Sequence, residues 1–358
     1  MNRFQQLCIL PWIIFHAQAA DPTLPPVEWA DELGSYRSPL MFKDGRQACT
    51  PELWQQRRAE ILADWERIMG RWPAVLPHPK MEVLSSTPRE DFTQQHIRLQ
   101  VASDQWTEGY LLRPKGPGPF PAVFVPYYDP ETSIGLTNKP LRDFALQLTR
   151  RGFVTLAIGS PGGDARKPVL SAKAKCQPLS YLGYIAANAW QALADQPEVD
   201  VARIGLVGHS YGGKWAIFGA CLWDKYACAV WSDPGVVFDE TRLSINYQEP
   251  WYLGLDPAWT RKPGLITTES PRTGAYQTLI AEGHELIELQ ALMAPRPFLV
   301  SGGVEDPPKR WAALNHLRAI NQLLGHRDRV AMTNREKHDP TPESNTAIVA
   351  FFEQWLKK

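Results

Sequence analysis

From Pro121 onward the chain alternates short apolar runs with longer stretches of helical spacing, and this rhythm restricts its fold more than any other feature. Residues 122–125, 154–158, 204–207, 227–231, 298–300 and 329–332 are too short for helices and apolar on both faces, as strands buried in a parallel sheet are. Between them, 141–150, 179–193, 211–223, 311–324 and 342–356 carry apolar residues at the spacing of crossover helices. Parallel strands cannot be joined by tight turns, so each needs such a crossover. The pattern predicts an α/β chain: a doubly wound, mostly parallel sheet with helices on both faces.

The segment before Pro121 reads differently. Residues 1–20 combine Arg3, an apolar run over 7–15 and the small-residue pattern Ala17-Gln18-Ala19, which together predict a secretory signal peptide cleaved after Ala19 or Ala20. The apolar run is too short to span a bilayer and no later stretch approaches that length, so no membrane span is expected. Cys8 lies inside this segment without the small residue that should precede a lipidated cysteine. Residues 21–80 are expected to form an arm and a helix packed on the core: 21–39 is Pro-rich and extended, Thr50 is an N-cap, Pro51 opens a helix, and Leu53, Trp54, Ile61, Trp65 and Ile68 continue it to Gly70. Over 81–112 the apolar residues alternate, which predicts an antiparallel start to the sheet of a main domain spanning 81–358. One interval, 234–294, is rich in Pro, Gly, Trp and Tyr and too long for an ordinary connection; it reads as a lid-like insertion.

Charge narrows the partners. With 38 basic and 38 acidic residues the formal net charge is +0, so no long-range field draws the chain to nucleic acid or anionic lipid, and a neutral or polymeric substrate fits better. After the signal, Cys49, Cys176, Cys221 and Cys228 face an oxidising compartment. Cys221 and Cys228 lie in an apolar helix-to-strand passage and read as buried thiols, with Cys49 and Cys176 the remaining candidate pair.

The chemistry centres on Gly208-His209-Ser210-Tyr211-Gly212-Gly213, which follows the apolar run 204–207 and precedes a helical pattern. This is G-x-S-x-G in a strand-turn-helix setting, the nucleophile elbow of the α/β-hydrolase fold. Glycines on both sides let strand and helix approach around a strained serine, whose Oγ then stands at a helix N-terminus beside the Tyr211 backbone N–H, a candidate oxyanion donor. A second donor is expected from the loop after 122–125, at Tyr127 or Tyr128, since Pro126 has no N–H.

A serine hydroxyl needs a base, and in this fold the order is serine, acid, histidine. His78 and His96 precede Ser210, His209 sits inside the elbow, and His316 and His326 fall in or at the end of a helix. His338 lies in the polar loop 334–340 after the last strand, where the base belongs. For the acid, Asp306 follows the run 298–300 in the usual place, with Glu305 beside it; Asp233, at the end of 227–231, remains a competitor. His284-Glu285-Leu286-Ile287-Glu288 lacks the second histidine of a zinc motif, and neither metal nor cofactor is expected.

Several segments resemble a known group. Gly208 to Lys214 resembles the G-x-S-x-x-G-K elbow of glucuronoyl esterases, carbohydrate esterase family 15, and of acetyl xylan esterase-like hydrolases. The run 285–297, ending Ala294-Pro295-Arg296-Pro297, is similar to that group's approach to the penultimate strand, and 335–339 to its histidine loop. The resemblance covers roughly Pro121 to the C-terminus and implies a serine esterase working through an acyl-enzyme on an ester borne by a polysaccharide or a small molecule. It also implies that Lys214, one turn along the helix from Ser210, donates to substrate hydroxyls. Family glucuronoyl esterases carry an arginine directly after the serine; Tyr211 stands there here, which favours acetyl over glucuronoyl esters. Trp251, Tyr252 and Trp259 in the insertion are candidates to stack on sugar rings. Two other readings stay open: a peptidase of the prolyl oligopeptidase type, against which the segment before Pro121 has no room for a propeller, and a binding protein on an inactive hydrolase scaffold.

Overall fold

The computed structural model describes residues 21–242 and 247–357; the expected signal peptide, 1–20, lies outside them. β1 (Met81–Arg89), β2 (Phe92–Ala102) and β3 (Gln105–Pro114) form the antiparallel ribbon that the alternation over 81–112 predicts. They join β4 (Phe120–Pro126), β5 (Val154–Ile158), β6 (Val199–His209), β7 (Cys228–Ser232), β8 (Phe298–Gly302) and β9 (Val330–Asn334) in one sheet of order β1-β2-β3-β5-β4-β6-β7-β8-β9. β3 meets β5 antiparallel and every later pairing is parallel.

The helices are α1 (Pro51–Met69), α2 (Pro130–Ser133), α3 (Phe144–Thr149), α4 (Pro178–Ala194), α5 (Tyr211–Leu222), α6 (Gly274–Ala281), α7 (Leu286–Ala291), α8 (Trp311–Leu323) and α9 (Pro342–Leu356). Side chains alternate along the central strands, so the sheet has two cores. Phe124, Leu156, Leu206 and Trp231 pack on one face with α4, α5 and α8. Val123, Val125, Val207 and Val230 pack on the other with α3 and α9. This is the doubly wound arrangement expected from the apolar runs. Thr50 caps α1 by accepting from the Leu53 N–H at 3.3 Å, and buried Arg57 bonds Glu288 Oε1 at 2.7 Å, tying α1 to α7. The arm lies along the far edge: the Met332 N–H of β9 donates to Pro22 O at 2.7 Å, and Asn315 Nδ2 reaches Trp29 O and Glu32 O.

Three expectations shift. The helix sought over 141–150 begins only at Phe144, because Leu141 holds φ 66°, a left-handed conformation no α-helix contains. β6 starts five residues earlier than its apolar run, since Val199 pairs with Phe120 across a register irregularity. All four described cysteines are unbonded: Cys49 is exposed while Cys176 is buried beside Ser180, so the candidate pair does not form. Segment 234–294 connects β7 to β8, and its Tyr247, Leu253 and Tyr276 are buried in the same core as the sheet. Among the described residues no helix is long and apolar enough to cross a membrane.

Candidate active site

Everything at the site is built on the end of β6. Ser210 takes φ 56° and ψ −115°, a strained conformation for a residue with a side chain. Its N–H donates to Ser232 O at 2.8 Å, pinning the turn to the end of β7. A Cβ on Gly208 would stand 2.0 Å from Gly212 O, and one on Gly212 would stand 2.2 Å from Pro126 O. Only glycine permits strand, turn and helix to close this tightly.

His338 Nε2 lies 3.0 Å from Ser210 Oγ, and His338 Nδ1 lies 2.7 Å from Asp233 Oδ2. An ionised carboxylate only accepts, so Nδ1 carries the proton it donates to Asp233; Nε2 is then left with a lone pair facing the serine hydroxyl. Asp233 is buried at φ 52°, and its Oδ1 accepts from the backbone N–H groups of Gly303 (2.7 Å), Glu305 (3.1 Å) and Asp306 (2.8 Å). Those three donors turn Oδ2 toward the imidazole.

The expected acid is therefore corrected: the carboxylate on His338 is that of Asp233, and Asp306 does not reach it. Asp306 Oδ1 and Oδ2 accept instead from Val236 N–H (2.7 Å) and Gly235 N–H (2.8 Å), and burial together with the Asp233 charge pushes its pKa up to about 6. Strand order is the reason. His209 pairs with Ser232, so Asp233 emerges directly beside the elbow, whereas Asp306 follows β8, one strand farther out. Glu305 pairs with Arg242 at 2.9 Å.

The loop bearing His338 is held by a residue the sequence reading passed over. Arg335 donates to Ser301 O (2.7 Å), His338 O (2.6 Å) and Asp339 O (2.9 Å), while Arg142 bonds Asp339 and the Tyr127 hydroxyl. His209, set aside as the base because it sits inside the elbow, packs its ring 4.7 Å from that of His338 and donates from Nδ1 to Ser232 O at 3.1 Å. Burial first, then the charges of His338 and Arg335, holds its pKa well below the ordinary value, so it is a neutral wall behind the imidazole. The remaining histidines serve elsewhere: His316 meets Leu33 O under the arm, His96 meets Glu108, and His284 meets Glu288.

Two further expectations are corrected. The Tyr127 N–H is spent on Ile158 O at 3.2 Å as β4 runs out beside β5, so of the two candidates for the second oxyanion donor Tyr128 is left. Tyr127 itself is buried, with its hydroxyl pKa pushed up to about 12. Tyr128 is exposed, and its ring lies 4.9 Å from that of Tyr211, the residue that follows Ser210. Tyr211 opens α5 with its N–H at the helix terminus, while its buried hydroxyl bonds Ser160 Oγ at 2.8 Å. Lys214 does not face substrate: it is buried, its ammonium donates to Pro234 O and lies 4.4 Å from the Tyr247 ring centroid, and desolvation pulls its pKa down to about 7. Helical spacing places it on the face of Ser210, but the insertion covers that face. Trp251 is half-buried, 6.1 Å from the Tyr252 ring, with the exposed Arg166 guanidinium 5.8 Å from its own ring. Tyr252 in turn lies 6.4 Å from Tyr211, and Trp259 is exposed.

No protein-family model matches the chain. Over 268 residues it is 27% identical to "Putative hydrolase YtaP" of Bacillus subtilis (strain 168), an alignment covering 70% of this chain and 81% of that protein. Among solved structures it is similar to a glucuronoyl esterase from Solibacter usitatus (TM-score 0.69, 18% identical, 90% of this chain and 98% of the other). It is also similar to a CE15 glucuronoyl esterase from Teredinibacter turnerae T7901 (TM-score 0.65, 18% identical, 89% of each). A third is a "putative acetyl xylan esterase" from Bacteroides fragilis NCTC 9343 (TM-score 0.55, 16% identical, 84% and 79%). Likeness at these identities speaks for architecture, and with the sheet order and the elbow it establishes that the chain has the α/β-hydrolase fold.

Proposed function

We propose that the chain is a secreted serine esterase that cleaves carboxylic esters on a polysaccharide, acetyl esters ahead of glucuronoyl ones. The observation that carries this reading is the imidazole of His338 bridging Ser210 and Asp233 at 3.0 and 2.7 Å on a strained elbow. Ser210 Oγ attacks the ester carbonyl as His338 Nε2 takes its proton. Asp233 keeps the imidazole in the required tautomer and stabilises the imidazolium. The backbone N–H groups of Tyr211 and Tyr128 hold the oxyanion of the tetrahedral intermediate. His338 then returns the proton to the departing alkoxide. Water, deprotonated by the same imidazole, attacks the acyl-serine, restoring Ser210 and releasing the acid. None of these steps draws on a cofactor.

The secretion reading rests on residues 1–20. For the substrate class, the support is the balanced charge and the names of the structural neighbours, glucuronoyl and acetyl xylan esterases. The preference for acetyl follows from Tyr211, a buried phenol bonded to Ser160, in the place where the resembled glucuronoyl esterases carry an arginine.

Fluorophosphonate labelling of the wild type and of Ser210→Ala tests the nucleophile, and a panel of acetyl, feruloyl and methyl-glucuronate esters set beside a proline-containing peptide tests the class. Labelling lost in Ser210→Ala with acetyl ester turnover is the expected result. Peptide turnover without ester turnover, or no labelling of the wild type, overturns it.

A further inference from the structure

Tyr128 has two neighbours of different kinds. Its ring lies 4.9 Å from that of Tyr211, the residue that follows Ser210, and it lines a cleft of about 510 Å³. The β2–β3 ribbon lines the cleft with Arg98, Trp106 and Glu108, and the loop after β5 lines it with Gly162 and Gly163. We propose that this cleft binds the uncharged saccharide chain of the substrate, so that an acyl group carried on that chain is presented to Ser210 past Tyr128. The inference rests on the esterase reading and names the part of the substrate that reading leaves unplaced.

The chemistry of the walls selects the occupant. Trp106 is half-buried with the Arg98 guanidinium 4.9 Å from its ring centroid, and Glu108 stands opposite Arg98 in the ribbon register. A flat aromatic ring beside a charged donor and a charged acceptor suits a sugar ring, which has apolar C–H faces and hydroxyls at its rim. A purely apolar ligand would strip water from Arg98 and Glu108 without replacing their hydrogen bonds. A polyanion would meet the carboxylates of Glu108, Asp129 and Glu131, all of which line the cleft, against the single guanidinium of Arg98 among its described lining. Gly162 and Gly163 hold φ 79° and 80°; a Cβ on Gly162 would stand 2.4 Å from Val169, whereas one on Gly163 would meet no atom within 4 Å, so Gly163 adds no side chain that would crowd a bound chain. The size is that of a site for a few sugar units rather than for an acetyl group alone.

The test compares two substrates on the full chain: p-nitrophenyl acetate, which engages only the nucleophile, and an acetylated xylo-oligosaccharide, which also fills the cleft. Trp106→Ala is expected to raise KM for the oligosaccharide about tenfold while leaving kcat/KM for p-nitrophenyl acetate unchanged, and Trp106→Phe, which keeps a ring, should stay near the wild type on both. Equal losses on both substrates, or no loss on either, overturn the proposal. Should Trp106→Ala fail to fold, Arg98→Met takes its place with the same expectation. Binding is read separately by titrating Ser210→Ala with unesterified xylo-, manno- and cello-oligosaccharides and with an oligogalacturonate. Binding of a neutral chain that weakens in the Trp106→Ala background supports the cleft whether or not the wild type cleaves esters, whereas preference for the oligogalacturonate, or no binding of any chain, overturns it. Failure of the esterase reading shows itself differently, as a wild type that neither takes the fluorophosphonate nor turns over p-nitrophenyl acetate.

Discussion

The backbone N–H of Asp306 donates to Asp233 Oδ1 across 2.8 Å, so the main chain of one acid orients the carboxylate of the other. The reverse tie also exists. Asp306's own carboxylate holds the N–H groups of Gly235 and Val236, the backbone that leaves Asp233 at φ 52°. Two strand ends are thereby cross-linked around the base, with one carboxylate facing the imidazole and the other facing the chain.

Asparagine at the two positions should separate these posts. Asp233→Asn is expected to lower kcat on p-nitrophenyl acetate by about 10⁴-fold, because the amide favours the wrong imidazole tautomer. Asp306→Asn should cost less than about tenfold in kcat and about 1–3 kcal/mol in stability, through a backbone N–H left without its acceptor. Initial rates and urea unfolding measure both, and the opposite ranking would return Asp306 to the triad.

Arg335 touches no substrate in the proposed reaction; it fixes the loop that carries the base. Arg335→Met should lower kcat by about 10²-fold with KM little changed, since a displacement of the imidazole by about 1 Å is enough for such a loss. Wild-type kcat in a variant whose loop contacts are gone would show that α9 and Asp233 alone position His338.

The elbow predicts a steep steric response. Gly212→Ala drives a Cβ to 2.2 Å from Pro126 O, the carbonyl just before Tyr127 and Tyr128. Overpacking of this kind costs about 1–3 kcal/mol, and the shift it forces on the Tyr128 backbone should depress kcat together with the melting temperature. A variant that melts like the wild type at full activity would contradict the packing described.

Lys214 sets a pH dependence of stability. Burial pulls its folded pKa to about 7 from the ordinary 10.5, so between those values the unfolded chain binds a proton that the folded chain does not. Stability attributable to this group therefore rises with pH through that window, by at most about 1.4 kcal/mol per unit, and is flat below it. Lys214→Met should remove the rise between pH 7 and 9 in thermal unfolding. A slope unchanged by the substitution would assign it to another group.

Much of this molecule is written locally. The range 342–356 is that of α9, and 154–158 that of β5, because a capping threonine, a proline at the first helical position or a run of β-branched residues acts within a few neighbours. The elbow is legible for the same reason: its glycines answer collisions among residues 208–213 and the adjoining Pro126. His338 could be picked out because a polar loop between the last strand and the last helix has one place to go.

Asp233 and Asp306, by contrast, each follow a buried strand, and nothing within either segment tells them apart. The choice falls to strand order, which sets β7 against β6, and to three N–H groups from 303–306 that aim Oδ2. Pairing with Ile158 decided that Tyr127 and not Tyr128 spends its amide, and the insertion decided that Lys214 lies buried under Tyr247. Periodicity in the chain states which face a side chain occupies; what covers that face is supplied by segments remote in sequence, and so burial, hydrogen-bond partners and charge state at the site belong to the tertiary structure.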